Sequence, residues 1–292
     1  TSNVCRYELD SAASGLSEGT YYLIGIATST GGQGIDASGA FTMDNTPPSA
    51  SNHNPANGTY SNNPNQQISV TLSDNASGVK VSSILLNVEG VNYTTASAEI
   101  NYNAGTGVLT FTPSAPFASG QVVDVLLAVS DNAGNWLQAP AAGTSWSFTI
   151  DTTKPGAAVE DENSAWNKSD TLSISCNDSD SGCVGTYWYY FNDKPGVDDC
   201  SDDKANYTLS APLSGTNPKT ASLLINSDRN NYLCLWVEDI AGNFGKDVSA
   251  RLRVDVTAPG TISNAPSGWQ NVATLVNFTC TDPGYVMGSG SG

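Results

Sequence analysis

The sequence predicts an all-β protein of tandem β-sandwich modules in a rod, with a half-module at each end. Three observations predict it. Landmark segments recur in order at a period of about 105 residues, which marks a repeat architecture. Inside each repeat, apolar residues alternate with polar ones, the pattern of strands with one buried face. Gly, Pro, Asn and Asp punctuate at short intervals, and no helical period is sustained.

The repeats are read from three similar endings: Phe41-Thr-Met-Asp44-Asn-Thr-Pro47, Phe148-Thr-Ile-Asp151-Thr-Thr-Lys-Pro155 and Leu252-Arg-Val-Asp255-Val-Thr-Ala-Pro259. Their aspartates are 107 and 104 residues apart. Val129-Ser-Asp131-Asn-Ala-Gly134-Asn135 returns as Val237-Glu-Asp239-Ile-Ala-Gly242-Asn243, with a degenerate copy at Ala27-Thr-Ser29-Thr-Gly-Gly32-Gln33. Tyr60, Trp166 and Trp269 hold matching places near the repeat starts. Strand alternation is read at Ile68, Val70 and Leu72, at Leu172, Ile174 and Cys176, and at Val276, Phe278 and Cys280. Short strands and turns in units of this size indicate sandwiches of immunoglobulin type.

The Asp-x-Ala-Gly-Asn segments read as corners between strands, where Gly supplies positive φ and Asp and Asn bond the turn backbone. The Asp-x-Thr-x-Pro segments read as a last strand followed by a proline joint that blocks its continuation. In this register, residues 48–154 and 155–258 are whole modules. Residues 1–47 carry only C-terminal strands of a module and 259–286 only N-terminal ones, with a Gly/Ser tail at 287–292. Short proline-containing joints make collinear neighbours the expectation.

Composition narrows the function. Charged residues are 13%, about half the usual ~25%. Lys+Arg number 11 against 28 Asp+Glu, a net charge of −17, so the basic footprint that nucleic acid requires is missing. No apolar run approaches a bilayer span, so direct membrane insertion is not expected. The single histidine, His53, sits in a loop-like stretch, which leaves little for nucleophilic or His-metal catalysis; a non-enzymatic protein is expected.

The strand-Asp-x-Ala-Gly-Asn and Asp-x-Thr-x-Pro segments together resemble the tandem bacterial and archaeal Ig-like repeats of large secreted cell-surface proteins. Cys176-Asn-Asp-Ser-Asp-Ser-Gly-Cys183-Val-Gly-Thr-Tyr187 resembles their Cys-containing subtype. The resemblance spans nearly all of residues 1–286. It implies a secreted stalk, fibre subunit or spacer, or alternatively an adhesin arm binding glycan or a host or cell-surface protein. Residues 73–79 keep the same loop without its cysteines.

Six cysteines are present, and no spacing suits zinc. Disulfides Cys176–Cys183 and Cys200–Cys234 are expected in the second whole module, in an oxidising compartment. Cys5 and Cys280 are left over, one in each half-module. Joined between chains, the half-modules would complete one sandwich with Cys280 beside Cys5, which would link copies head to tail. Neighbouring repeats of a longer chain are the alternative.

Candidate calcium ligands are Asp178 and Asp180 in the Cys176–Cys183 loop, and Asp131 and Asp239 near Asp151 and Asp255. The acidic run Asp193, Asp198, Asp199, Asp202 and Asp203 is another candidate. The loop from Asp178 is not an EF-hand, because Tyr189 stands where a bidentate Glu is needed. In Tyr187-Trp188-Tyr189-Tyr190-Phe191 one face must be core, and the other, Trp188 with Tyr190, is a candidate glycan platform. Asn57, Asn75, Asn92, Asn167, Asn177, Asn206 and Asn277 begin glycosylation sequons.

Overall fold

The structure, a computed structural model, describes residues 15–160 and 165–282. Cys5 and the 287–292 tail lie outside the described residues. The chain divides after Ile150 into two compact units. Asp151 therefore goes with the second unit, where its side chain finds its partners. No helix among the described residues is long and apolar enough to cross a membrane.

In the first unit the strands are β1 (Gly19–Tyr21), β2 (Ile24–Ser29), β3 (Gly32–Ala37), β4 (Phe41–Met43), β5 (Ser49–Asn54), β6 (Thr59–Ser61) and β7 (Ile68–Ser73). They continue with β8 (Leu85–Val88), β9 (Val91–Thr94), β10 (Ile100–Asn103), β11 (Val108–Phe111), β12 (Val122–Ser130), β13 (Trp136–Leu137) and β14 (Ser145–Ile150). One sheet runs β10-β11-β7-β5; the other runs β6-β14-β12-β8-β9, with β13 also on β12. The two sheets face each other through alternate residues. Ile68, Val70 and Leu72 of β7 meet Val123, Val125, Leu127 and Val129 of β12 and Trp146, Phe148 and Ile150 of β14 in one buried cluster. A one-residue slip would turn each set to solvent, so the alternation fixes the register.

The second unit has β15 (Gly156–Glu160), β16 (Asp170–Asn177), β17 (Cys183–Asn192), β18 (Leu209–Pro212), β19 (Lys219–Ile225), β20 (Tyr232–Asp239) and β21 (Phe244–Val248). The sheets β15-β16-β19 and β18-β17-β20-β21 enclose Leu172, Ile174, Tyr187, Leu233, Leu235 and Val237. The expected last strand at 252–254 is reduced to isolated bridges from Val254 to Asn167 and Arg229. These bridges keep the place that Ile150 of β14 holds against Gln121 and Ser61, while β21 pairs with β20 over Cys234–Glu238, the stretch equivalent to the one β13 meets on β12.

The flanking strands are thin. β1 pairs β4, and β2 pairs β3, each as a two-stranded sheet. At the other end β22 (Gly260–Ser263) pairs β23 (Phe278–Thr281). The alternation read at Val276, Phe278 and Cys280 buries nothing: Phe278 is 73% exposed, because no second sheet among the described residues faces β23.

One glycine is needed for a close approach. Gly107 has φ +70, its carbonyl accepts from the Leu72 amide at 2.8 Å, and a Cβ there would run into the Leu72 carbonyl oxygen. Gly107→Ala should destabilise the first unit by about 1–3 kcal/mol in urea unfolding. Unchanged stability would show that the β7–β11 contact yields freely.

Candidate divalent-cation site

Each unit gathers three aspartates from three places in the chain. In the second unit Asp151 leads in before β15, Asp178 follows β16, and Asp239 ends β20. One carboxylate oxygen from each lies within 4.8 Å of the others, and all three residues are buried. The first unit repeats this with Asp44, Asp74 and Asp131, of which Asp131 is buried and the other two half-buried.

Local chemistry sets the arrangement. The Asp-x-Ala-Gly-Asn turn closes on its own aspartate: Asp239 Oδ1 accepts from the Asn243 amide at 2.8 Å and Oδ2 from Asn243 Nδ2 at 2.7 Å. Gly242 sits at φ +93, a conformation that side chains disfavour. The same Asn243 Nδ2 donates to the Asp151 carbonyl at 2.8 Å. Asp151 Oδ1 accepts from Thr153 N at 2.9 Å, and Oδ2 from Ser181 N at 3.0 Å. Asp178 Oδ2 accepts from Gly182 N at 2.6 Å, closing the loop.

The first unit is wired alike. Asp44 accepts from Thr46 N and Ser77 N, its carbonyl accepts from Asn135 Nδ2, and Asp131 accepts from the Asn135 amide and side chain. Asp74 Oδ1 accepts from Gly78 N.

In the second triad five of the six carboxylate oxygens accept hydrogen bonds. The sixth, Asp178 Oδ1, is buried and has no partner, in a residue only 4% exposed. Burial pushes the Asp178 carboxyl up, and the Asp151 charge adds to this. Burial also pushes Asp239 up, against the bonds from Asn243, with Asp151 again adding. Hydrogen bonding from Ser77 and Thr46 instead draws the more open Asp44 down. The ion pairs found among the described residues, Lys194–Asp199, Lys204–Glu238 and Lys246–Asp202, involve no triad carboxylate. An oxygen-only donor set with crowded negative charge suits a hard divalent cation. Ca²⁺, which tolerates irregular sites of six to eight oxygens, fits better than Mg²⁺ or Zn²⁺.

The other candidates fall elsewhere. Asp180 stays outside the triad, accepting from Thr153 Oγ1 at 2.9 Å, because it sits on the exposed side of the loop. Asp255 joins no acidic cluster among the described residues; its Oδ1 accepts from Thr257 N at 3.1 Å. In the acidic run, Asp199 pairs with Lys194, Asp202 with Lys246, and Asp203 accepts from the Ala205 amide. Asp193 and Asp198 are exposed and enter no acidic cluster. Asp44 and Asp74 are ligand candidates the sequence reading left out. Their signal was the repeat register itself, which puts Asp44 over Asp151 and Asp74 over Asp178.

Both disulfides form, Cys176–Cys183 and Cys200–Cys234, and Cys280 is a free, exposed thiol. His53 bonds the Gly143 carbonyl through Nε2 at 2.9 Å and packs edge-on to Trp146, a structural placement. Trp188 and Tyr190 do not form an open platform. Chain 193–207 folds over that face and makes a second small core of Cys200, Tyr207, Cys234 and Trp236. Lys204 Nζ lies 3.6 Å from the Trp188 ring centre, and Tyr190 Oη accepts from Ser201 N at 3.0 Å. Of the sequon asparagines, Asn57, Asn75, Asn92, Asn177, Asn206 and Asn277 are exposed and Asn167 is half-buried.

Residues 44–150 match the bacterial Ig-like domain family. The match runs from Asp44 to Ile150, the span between the two leading aspartates. No curated protein matches the chain. Among solved structures, a three-domain segment of titin is 11% identical, with TM-score 0.48 over 81% of this chain and 75% of that one. Fibronectin(III)-like modules from Clostridium thermocellum are 12% identical, with TM-score 0.37 over 69% and 92%. A tetra-tandem repeat from the extending region of a large adhesion protein is 16% identical, with TM-score 0.31 over 93% and 72%. Likenesses this loose carry no functional argument.

A raised carboxyl pKa means that the folded state holds its proton more tightly than the unfolded one. Without metal, the second unit should therefore lose stability as pH rises through the raised Asp178 and Asp239 values. Asp178→Asn removes one buried charge and lets an amide donate where Oδ1 has no partner. In chelator at pH 7 it should raise the stability of the second unit by about 1 kcal/mol and flatten this pH dependence. A less stable variant in chelator would contradict the account of the orphaned oxygen.

Proposed function

We propose that the chain is part of an extracellular structural or adhesion-type protein whose Ig-like modules each bind a calcium ion in the aspartate triad. The observation that carries this is Asp178 Oδ1, buried without a partner among three carboxylates that no cationic side chain among the described residues pairs with. A bound cation would satisfy that oxygen. It would also fasten the leading segment, the β16–β17 loop and the Asp239 turn of one module together. The two disulfides support an oxidising compartment. Extracellular modules bind Ca²⁺ with Kd of about 10⁻⁴–10⁻³ M, which suits a site with few protein carboxylates. The Ig-like family is typically non-enzymatic, in keeping with a mechanical role.

Calcium at roughly ten times Kd should stabilise the second unit by about 1.4 kcal/mol, a rise of several degrees in Tm over chelator. Asp178→Asn should abolish that rise for the second unit. A Tm indifferent to calcium would remove the reading.

A second reading is favoured by the uncovered sheets. Ile24, Ile26 and Ile35 on β2–β3 and Ile262 and Phe278 on β22–β23 are exposed, and an apolar sheet face needs another layer against it. We propose that a second copy supplies that layer. β22–β23 carries the opening landmarks of the repeat and β1–β4 the closing ones, so copies fit head to tail with Cys280 near the partner's Cys5. Such a contact does not close and builds filaments. Non-reducing gels should show a ladder that Cys280→Ser abolishes. A stable monomer with an alkylatable Cys280 would exclude the second copy and leave neighbouring repeats of a longer chain to cover these faces.

A further inference from the structure

We infer that the Cys176–Cys183 disulfide presets the cation site of the second unit and makes it the tighter of the two, an inference that rests on the calcium reading above.

The two units provide an internal comparison. Asp178 is preceded two residues earlier by Cys176 and followed by Gly182 and Cys183; Asp74 is preceded by Leu72 and followed by Gly78 and Val79. The pairs are equivalent in the fold as well as in spacing. Cys176 faces Ala157 across β15–β16 as Leu72 faces Ala50 across β5–β7. Cys183 lies opposite Asp239 as Val79 lies opposite Asp131. The loop bonds repeat too: Ile240 N donates to the Gly182 carbonyl at 2.9 Å, and Asn132 N to the Gly78 carbonyl at 3.0 Å. Ala241 N donates to Ser181 Oγ at 3.3 Å, and Ala133 N to Ser77 Oγ at 3.2 Å. What differs is the covalent closure and the burial. Asp151 and Asp178 are buried, whereas Asp44 and Asp74 are half-buried.

Three carboxylates within 4.8 Å repel one another when no cation is present. In the first unit only hydrogen bonds hold the 73–78 loop against that repulsion, so the loop can swing Asp74 into water. In the second unit the disulfide ties both ends of the 177–182 loop to one point, with Cys176 and Cys183 themselves buried. Asp178 cannot relieve the repulsion by leaving, and its Oδ1 stays buried without a partner. Binding then needs little reordering of the loop, the general advantage of a preorganised site. The bond acts as a positioning device and touches no ion itself.

The test is calcium binding by isothermal titration, with stability followed by thermal melting in chelator. Wild type should show a tighter and a weaker site, and Asp178→Asn should delete the tighter one. Cys176→Leu with Cys183→Val installs the pair found in the first unit, which keeps the core apolar. It should weaken the tighter site about tenfold, toward the weaker one. The reciprocal change, Leu72→Cys with Val79→Cys, should tighten the first-unit site by a similar factor, and this does not depend on how the first variant folds. Unchanged affinities in the Leu/Val and Cys/Cys variants would overturn the inference while leaving the calcium reading intact. Absence of calcium binding to wild type, or binding indifferent to Asp178→Asn, would overturn the reading itself.

Discussion

Each of the two sandwiches depends on the one aspartate that leads into it. Asp151 accepts from Thr153 N and Ser181 N with its side chain, and its carbonyl accepts from Asn243 Nδ2. Asp44 does the same with Thr46, Ser77 and Asn135. Through these bonds the incoming chain, the loop between two strands and the corner between two others meet at one point. The sandwich core could form from alternation alone. The connections at this end of the module could not, because loops lack a periodic pattern and their backbone groups need explicit partners.

The same economy creates an electrostatic problem. The carboxylates that accept so many backbone amides end up within a few ångströms of each other, and burial raises the penalty for keeping them charged. In the first unit partial exposure relieves it. In the second, Asp178 Oδ1 is buried without a hydrogen-bond partner from the protein. A buried carboxylate left this way either holds its proton or meets a cation, and among the described residues no lysine or arginine pairs with a triad carboxylate. The second unit thus differs from the first by a covalent loop closure and a more buried charge cluster on an otherwise shared plan.

Much of this was legible in the sequence. Period-two alternation located β7 and β16 and their inward residues, Ile68, Val70 and Leu72 in one core and Leu172, Ile174 and Cys176 in the other. The repeat register located both corner turns; a short loop spacing indicated Cys176–Cys183, and Cys200 and Cys234 were the pair left in the same module. Asp131, Asp151, Asp178 and Asp239 were legible as ligand candidates because turn motifs fix where their side chains point. Asp255 and Asp180 were not separable from them, since clustering depends on whether a matching loop and corner are folded around the residue. Trp188 and Tyr190 mark another limit. Their positions on a strand are periodic and readable, but the return of Lys204 and Ser201 over them belongs to an irregular segment that follows no period.

The most direct measurement is a crystal structure of the chain grown with calcium at neutral pH. The account predicts an ion among Asp151, Asp178 and Asp239 with oxygens at about 2.3–2.6 Å, Asp178 Oδ1 among them. A triad holding only water, or one closed by a proton shared between two of its carboxyl groups, would contradict it.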